Sequence, residues 1–325
     1  MASLLGSASD LPVSGSVGSA ARASEAADWT VVVAAGCELG ERPLWDERSG
    51  TVVWVDCLAG AMHRSRADFA GAPFVSWSDE VTCLGPSVGS VGLRADGGLV
   101  ATVGAAFVLL DGSGRADADP VQVDLPAGHR FNDGACDPAG RFLAGTTAGT
   151  TGASDAVLWS MGPEYSPRVL LDAVTESNGL GWSPDGLTFY YVDSGEQVVR
   201  RYRYDVRSGE LGARLGDLAT IADTDGVPDG LVVDSDGAVW VALWQGGSVR
   251  RYSPNGKVLA SLPLPVDRPT CPALAGPDLD LLVVTTGWEG LDEVQRKALP
   301  LSGHLFVRRV PWPGIPPFRF LGRAR

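Results

Sequence analysis

The sequence predicts an all-β protein with the architecture of a six-bladed β-propeller. Three observations support this prediction. The 325 residues include 42 Gly, 22 Pro and 10 Trp, and only 20% are charged, which favours short strands and tight turns over helices. One sequence unit recurs six times with nearly even spacing. Finally, no strongly periodic helical segment interrupts the series.

The repeated unit is a short apolar strand, a polar turn that ends in Gly, and a second strand rich in β-branched or aromatic residues. The six copies span 42–56, 90–104, 133–147, 178–194, 229–244 and 272–286. Their turn positions are 47, 43, 46, 51 and 43 residues apart, at Gly50, Gly97, Gly140, Gly186, Gly237 and Asp280. A four-stranded blade needs roughly 40–50 residues, so each copy predicts one inner hairpin. A β-helix repeat is shorter, and paired sandwiches give no reason for equal spacing.

The domain organisation is simple. Residues 1–28 are rich in Ala, Ser and Gly and lack both a basic start and a sustained apolar run, so we predict a disordered tail rather than a secretory signal. Residues 29–325 are predicted to form a single propeller domain. Its apolar ends, Trp29–Ala34 and Phe318–Leu321, are expected to pair across the seam and hide the open sheet edges.

Charge and cysteine content restrict the partners and the compartment. A formal charge of −13 argues against nucleic acid and anionic membranes, which need a basic face. No apolar stretch reaches the ~20 residues of a membrane-spanning helix. Five scattered cysteines without a C-x-x-C pair predict buried free thiols in a reducing compartment. They are Cys37, Cys57, Cys83, Cys136 and Cys271. We therefore expect a soluble cytoplasmic protein, either a monomer or a weak homo-oligomer.

Four polar side chains share one position in the repeat. Asn132, Asn178 and Asp229 lie 8 residues before the turn Gly of their copies, and Glu41 lies 9 before Gly50. Inner strands of a propeller run side by side around the axis, so these residues are predicted to form a ring at one channel mouth. Taken singly, Asn178 and Asp229 also fit ordinary turn dipeptides, because each precedes Gly.

The ring has the chemistry of a metal site. Glu41, Asn178 and Asp229 would offer two carboxylates and one amide oxygen, which suits one divalent ion, Ca²⁺, Mg²⁺, Mn²⁺ or Zn²⁺, with positions left open for water and substrate. Arg130, Asn132 and Asp133 add a cation, an amide and a carboxylate beside the ring, which fits an oxygen-rich ligand. Arg130 could instead be the structural partner of a nearby acid.

These segments resemble the SMP-30/gluconolactonase/LRE family from about residue 36 to the C-terminus. The resemblance rests on GERPLWD, RFNDGACDPAGRFLAGT, SNGLGWSPDG, PDGLVVDSDGAVWVALWQGG and GPDLDLLVVTT. It implies metal ligation by Glu41, Asn178 and Asp229, with Asp229 also the general base. It further implies substrate contact by Arg130 and Asn132, while Asp133 is a weaker candidate.

The activity implied by the resemblance is hydrolysis of a sugar lactone or a similar oxygen-rich substrate by metal-activated water. The chain departs from the family at two places. Residues 148–151, Ala-Gly-Thr-Thr, replace an acidic pair, and Ala135 replaces a lysine. The metal and the hydrolytic chemistry are therefore better supported than any one sugar.

Other functions remain open at this point. A phosphotriester hydrolase, a specialised hydrolase or isomerase of a biosynthetic intermediate, and a non-catalytic calcium-binding propeller all fit the same ring. Ser87 lies in a G-x-S-x-G pattern, but the residues that follow predict a strand rather than the helix such a nucleophile needs. The loops at 147–156 and 285–298 are expected to determine specificity.

Overall fold

The computed structural model of the protein describes residues 28–67, 77–148 and 154–322. It confirms the predicted six-bladed β-propeller. In these described ranges, twenty-four strands form six antiparallel sheets of four strands each. Blades 1 to 5 are each built from four consecutive strands, with the first at the channel and the last at the outer edge.

The strands are numbered along the chain. Blade 1 consists of β2 Gly40–Asp46, β3 Thr51–Asp56, β4 Ala61–Arg66 and β5 Ser78–Cys83. Blade 2 consists of β6 Val88–Leu93, β7 Leu99–Val103, β8 Ala106–Leu110 and β9 Val121–Gln122. Blade 3 consists of β10 Arg130–Cys136, β11 Phe142–Thr147, β12 Ala156–Met161 and β13 Pro167–Val174. Blade 4 consists of β14 Ser177–Trp182, β15 Thr188–Asp193, β16 Val198–Asp205 and β17 Glu210–Thr220. Blade 5 consists of β18 Val227–Val233, β19 Val239–Trp244, β20 Ser248–Tyr252 and β21 Val258–Pro263. Blade 6 consists of β22 Pro269–Ala275, β23 Leu281–Thr286, β24 Leu305–Arg309 and β1 Thr30–Val33.

The inner hairpins coincide with the six predicted copies. The turn glycines have φ values of 66°, 96°, 81°, 73° and 76°, at Gly50, Gly97, Gly140, Gly186 and Gly237. This left-handed conformation costs a side chain energy but suits Gly. In the sixth copy, where Asp280 stands at the turn position, Leu279 takes the left-handed conformation instead, with φ 53°.

The core is divided among the blades. Six clusters of buried apolar side chains each lie between two successive blades and together complete the ring. The cluster between blades 6 and 1 includes Val32, Trp54 and Val283. The blades are therefore held to each other mainly by side-chain packing, and the backbone groups are paired within each sheet.

The N-terminal strand closes the ring. β1 pairs antiparallel with β24 and completes blade 6, as expected for Trp29–Ala34. The other predicted partner is wrong, because Phe318–Leu321 does not pair with β1. Phe320 exchanges backbone hydrogen bonds with Leu93 and Ala95 of blade 2, and the Leu321 amide donates to Gly140 of blade 3. This C-terminal segment instead crosses the face of the propeller away from the predicted ring of polar residues, which we call the lower face.

Several smaller predictions can be compared with the structure. All five cysteines are free, but Cys83 is exposed because it ends an outer strand. A short helix, α1 (Glu293–Ala298), was not predicted, and a capping box between Asp292 and Gln295 begins it. Within the described ranges, no helix is long and apolar enough to cross a membrane. The predicted disordered tail lies outside the described residues except for Asp28.

Deletion of residues 1–34 is expected to destabilise the whole propeller. Trp29, Val32 and Val33 are buried in the seam, and their loss would cost on the order of 5 kcal/mol while exposing the edge of β24. Chemical denaturation measures the change, with a deletion of residues 1–27 as the control. Equal midpoints for the two deletions would show that β1 does not hold the ring closed.

Candidate metal centre and substrate cavity

A β-bulge interrupts each inner strand where the predicted ring lies. Regular pairing with the next strand breaks between Glu41 and Leu44, between Ser177 and Leu180, and between Pro228 and Leu231, and the other three inner strands break at the matching place. Bulges re-aim side chains and are common beside active sites. The repeated bulge therefore explains why polar residues leave the sheet and face the channel.

Two glycines let neighbouring inner strands approach closely at this level. A Cβ on Gly179 would lie 2.6 Å from both the carbonyl oxygen of Asp229 and the amide nitrogen of Leu231. A Cβ on Gly230 would lie 2.4 Å from Sγ of Cys271. The glycines that follow Asn178 and Asp229 are thus required for close packing around the channel, and are not turn residues.

The ring opens into a cavity of about 410 Å³ at one end of the channel. The residues that line it combine acidic, basic and amide side chains with apolar ones. They are Leu39, Glu41, Arg130, Asn132, Glu176, Asn178, Ser194, Val227, Pro228, Asp229, Trp244, Gln245, Arg268, Glu289 and Gly290. A cavity of this size accommodates a small, oxygen-rich molecule.

The three candidate metal ligands line this cavity together. Glu41, Asn178 and Asp229 are 4%, 5% and 7% exposed. Oδ1 of Asn178 and Oδ1 of Asp229 are buried and accept no hydrogen bond within the described part of the chain. Glu41 accepts one bond, at 2.8 Å from the amide of Arg42 to Oε2. Buried oxygens without donors are costly unless a cation binds them, so the donor set fits a divalent metal ion.

No group of three or more His, Cys, Asp or Glu side chains with metal-binding geometry occurs among the described residues. The candidate set does not depend on such a group, because one of its three members is an amide. Carboxylate and carbonyl oxygens are the ligands preferred by Ca²⁺, Mg²⁺ and Mn²⁺, whereas structural zinc sites usually contain His or Cys.

Like charges crowd the candidate site. Burial, and secondarily the charge of Asp133, raises the pKa of Glu41 to about 8. Burial also raises the pKa of Asp229 well above its usual value, followed by repulsion from Glu41, Glu176 and Asp133. A hydrogen bond from Asn178 opposes the shift at Asp229. A bound cation would relieve this repulsion and favour both ionised carboxylates.

Metal-free protein is therefore expected to lose stability as the pH rises from about 4.5 through 8. In that range the folded state holds a proton on Glu41 that the unfolded state has released, so the free energy of unfolding falls with pH. Melting temperatures of metal-stripped wild type and Glu41→Gln measure the effect. The wild type should lose more stability than the variant between pH 5 and pH 8, and parallel curves would contradict the expectation.

Arg130 and Asn132 are fixed in place on blade 3. Nη1 of Arg130 donates to Oδ1 of Asn132 at 2.6 Å and to the carbonyl of Phe131 at 3.1 Å. Nδ2 of Asn132 donates to the carbonyl of Ser177 on blade 4 at 2.9 Å. Both side chains line the cavity. The sequence-predicted pair is thus brought to the candidate metal ligands in an ordered geometry.

Asp133 is placed differently from the other predicted site residues, because it does not line this cavity. Its Oδ1 accepts from the amide of Gly134 at 2.7 Å and lies 3.7 Å from Nε of Arg42, so it faces the channel below the ring. Arg42 itself has a φ of 46°, an unfavourable conformation for a side-chain-bearing residue. Arg42 lines a second, smaller cavity of about 100 Å³, together with residues 315–318 near the C-terminus.

Among the cavity residues that sequence reasoning missed, Glu176 and Arg268 are charged. Glu176 precedes β14 and accepts a hydrogen bond from Thr147 at 3.4 Å. Arg268 precedes β22, and its guanidinium lies 5.2 Å from the ring centroid of Trp244. The repeat register could not reveal the two charged residues, because both lie ahead of the shared ring position. Of the stretch that replaces the family's acidic pair, Gly149 to Thr151 lies outside the described residues.

The family model of the SMP-30/Gluconolactonase/LRE-like region matches residues 39–287. The chain belongs to this family. Regucalcin from Oryctolagus cuniculus is 34% identical over 305 residues, which cover 90% of this chain and 97% of the rabbit protein.

Two solved structures of family proteins share the fold. Regucalcin from Agrobacterium tumefaciens, described as a calcium-binding protein, has a TM-score of 0.78 and 28% identity, covering 91% of this chain and 96% of its own. A luciferin-regenerating enzyme also has a TM-score of 0.78, with 25% identity, covering 90% of this chain and 99% of its own. These two proteins and this chain therefore share the propeller fold.

Proposed function

We propose that the protein is a divalent-metal-dependent hydrolase that opens a sugar lactone, such as an aldonolactone, with water. The observation that carries the proposal is that Glu41, Asn178 and Asp229 line one cavity, with unpaired buried oxygens on the latter two. Membership of a family whose name includes gluconolactonase supports the same reaction.

Glu41, Asn178 and Asp229 would hold the metal ion. When bound, a divalent ion polarises a carbonyl group and lowers the pKa of a coordinated water. Asp229 would also accept the proton of the attacking water on its carboxylate, which requires the ionised form. Arg130 would donate to the carbonyl oxygen of the lactone, where negative charge develops. Asn132 would fix the direction of Arg130 through the bond between them.

The test is proton release from a panel of five- and six-membered aldonolactones. Metal-stripped protein is assayed first, and then after addition of Ca²⁺, Mg²⁺, Mn²⁺ or Zn²⁺. Turnover restored by one or more ions supports the proposal and ranks the metals. Absence of turnover with every lactone and ion refutes it, provided that the protein remains folded in the same buffer.

A second candidate function is a non-catalytic calcium-binding propeller. The description of the Agrobacterium relative as a calcium-binding protein favours it. Calorimetry in parallel with the lactone panel separates the two functions. Tight binding of Ca²⁺ without turnover of any lactone would favour the binding protein over the hydrolase.

A further inference from the structure

We infer that Arg268 is a substrate-binding residue that selects lactones carrying a hydroxyl group on the ring carbon opposite the ester carbonyl. The inference rests on the proposed lactonase function and adds to it the substrate hydroxyl that is recognised and the residue that binds it. Arg268 precedes the inner strand of blade 6 and lines the cavity.

The guanidinium of Arg268 is buried but only partly paired. The residue is 7% exposed. Nη1 donates to the carbonyl of Glu289. Within the described ranges, Nε has no hydrogen-bond partner, and Oδ2 of Asp267 lies 4.0 Å from it. A desolvated guanidinium with an unused donor is costly in the absence of a ligand, and an oxygen acceptor would offset that cost.

Trp244 holds this guanidinium in place. The cation lies 5.2 Å from the centroid of its ring, and Trp244 also lines the cavity. Stacking fixes the plane of the guanidinium, so less conformational entropy is lost when a ligand accepts its hydrogen bonds.

The position of Arg268 around the channel identifies the part of the substrate that it would contact. Arg130 is on blade 3 and Arg268 is on blade 6, so the two guanidinium groups lie on opposite sides of a six-bladed channel. A lactone whose carbonyl is held on the side of Arg130 directs the opposite ring carbon towards Arg268. In a six-membered aldono-1,5-lactone that carbon is C4, and its hydroxyl oxygen would accept the hydrogen bond.

The test is a double-mutant cycle that removes the Arg268 guanidinium and the C4 hydroxyl of the lactone separately and together. Proton release measures kcat/KM for metal-loaded wild type and Arg268→Met with D-glucono-1,5-lactone and its 4-deoxy analogue. Loss of either partner should lower kcat/KM roughly 10- to 100-fold, as for a hydrogen bond to a charged group. With one partner already absent, removal of the other should change kcat/KM less than about 3-fold.

Two further variants complete the design. Arg268→Lys retains the charge and should recover part of the loss with D-glucono-1,5-lactone only. Arg250→Met removes an arginine that pairs with Asp225 outside the cavity, and it should leave kcat/KM unchanged for both lactones. Equal losses with both lactones in Arg268→Met would overturn the inference, because a purely structural role lowers all turnover together. So would an unchanged kcat/KM. If wild type opens neither lactone with any metal, the proposed function itself fails.

Discussion

Replacement of Asp229 with asparagine is expected to reduce kcat for lactone opening by roughly 10²- to 10⁴-fold, the contribution of a positioned general base. The amide is nearly isosteric and keeps an oxygen that can ligate a metal, but it cannot accept the proton of the attacking water. Steady-state proton release measures kcat, and elemental analysis of the same sample measures bound metal. Retained metal with lost turnover would separate the base role from the ligand role.

The matched control is Asp225→Asn, which makes the same exchange in the short turn ahead of β18. Asp225 pairs with Arg250 and does not line the cavity, so turnover should be unaffected. A variant at Asp229 that keeps more than about half of the wild-type kcat would exclude a general-base role.

The exchange Glu41→Gln is expected to have opposite effects on metal-free and metal-loaded protein. Without metal, loss of one of two mutually repelling buried carboxylates should raise the melting temperature at pH 8. With metal in excess it should lower the melting temperature relative to wild type, because a ligand stabilises the folded state by an energy that grows with the logarithm of its affinity. Loss of a charged ligand should weaken metal binding by at least about 100-fold, or roughly 2.7 kcal/mol.

Differential scanning fluorimetry with chelator and with added metal measures both effects. Glu38→Gln is the control, because Glu38 lies close in sequence but outside the residues that line the cavity. A melting temperature that changes in the same direction under both conditions would contradict metal binding by Glu41.

The sequence was sufficient to predict the propeller because its signal is local and repeated. Each turn position constrains one backbone conformation, and six of them at blade spacing leave few alternatives. Leu279 shows the limit of that signal, since it adopts a left-handed conformation that no turn rule would select for leucine. The lower-face path of Phe318–Leu321 is a tertiary preference that no repeat encodes.

The candidate metal ligands were predictable from register, because equal distance from a turn places residues at equal height around the axis. The structure supplies the reason that those residues face the channel, namely the shared bulge. Asp133 lies one residue beyond Asn132, and this single step is enough to direct its carboxylate towards Arg42 below the ring. Register therefore identified a level in the channel, whereas the direction of each side chain required the structure.

Glu176 and Arg268 were missed for a related reason. Glu176 lies 10 residues before Gly186, and Arg268 lies 12 before Asp280, so neither shares the ring position. Both enter the cavity from segments that precede an inner strand. Long side chains on such segments reach the mouth from outside the repeat, and their placement depends on the packing of neighbouring blades.

Titration of metal into metal-stripped protein, with proton release from D-glucono-1,5-lactone followed in the same cell, is the most direct test of a metal-dependent lactonase. Turnover should be absent at the start and rise in proportion to bound metal. It should reach its plateau at about one ion per chain, the number that a single set of ligands, Glu41, Asn178 and Asp229, would hold. Full turnover before any metal is added, or saturated binding without turnover, would contradict the account.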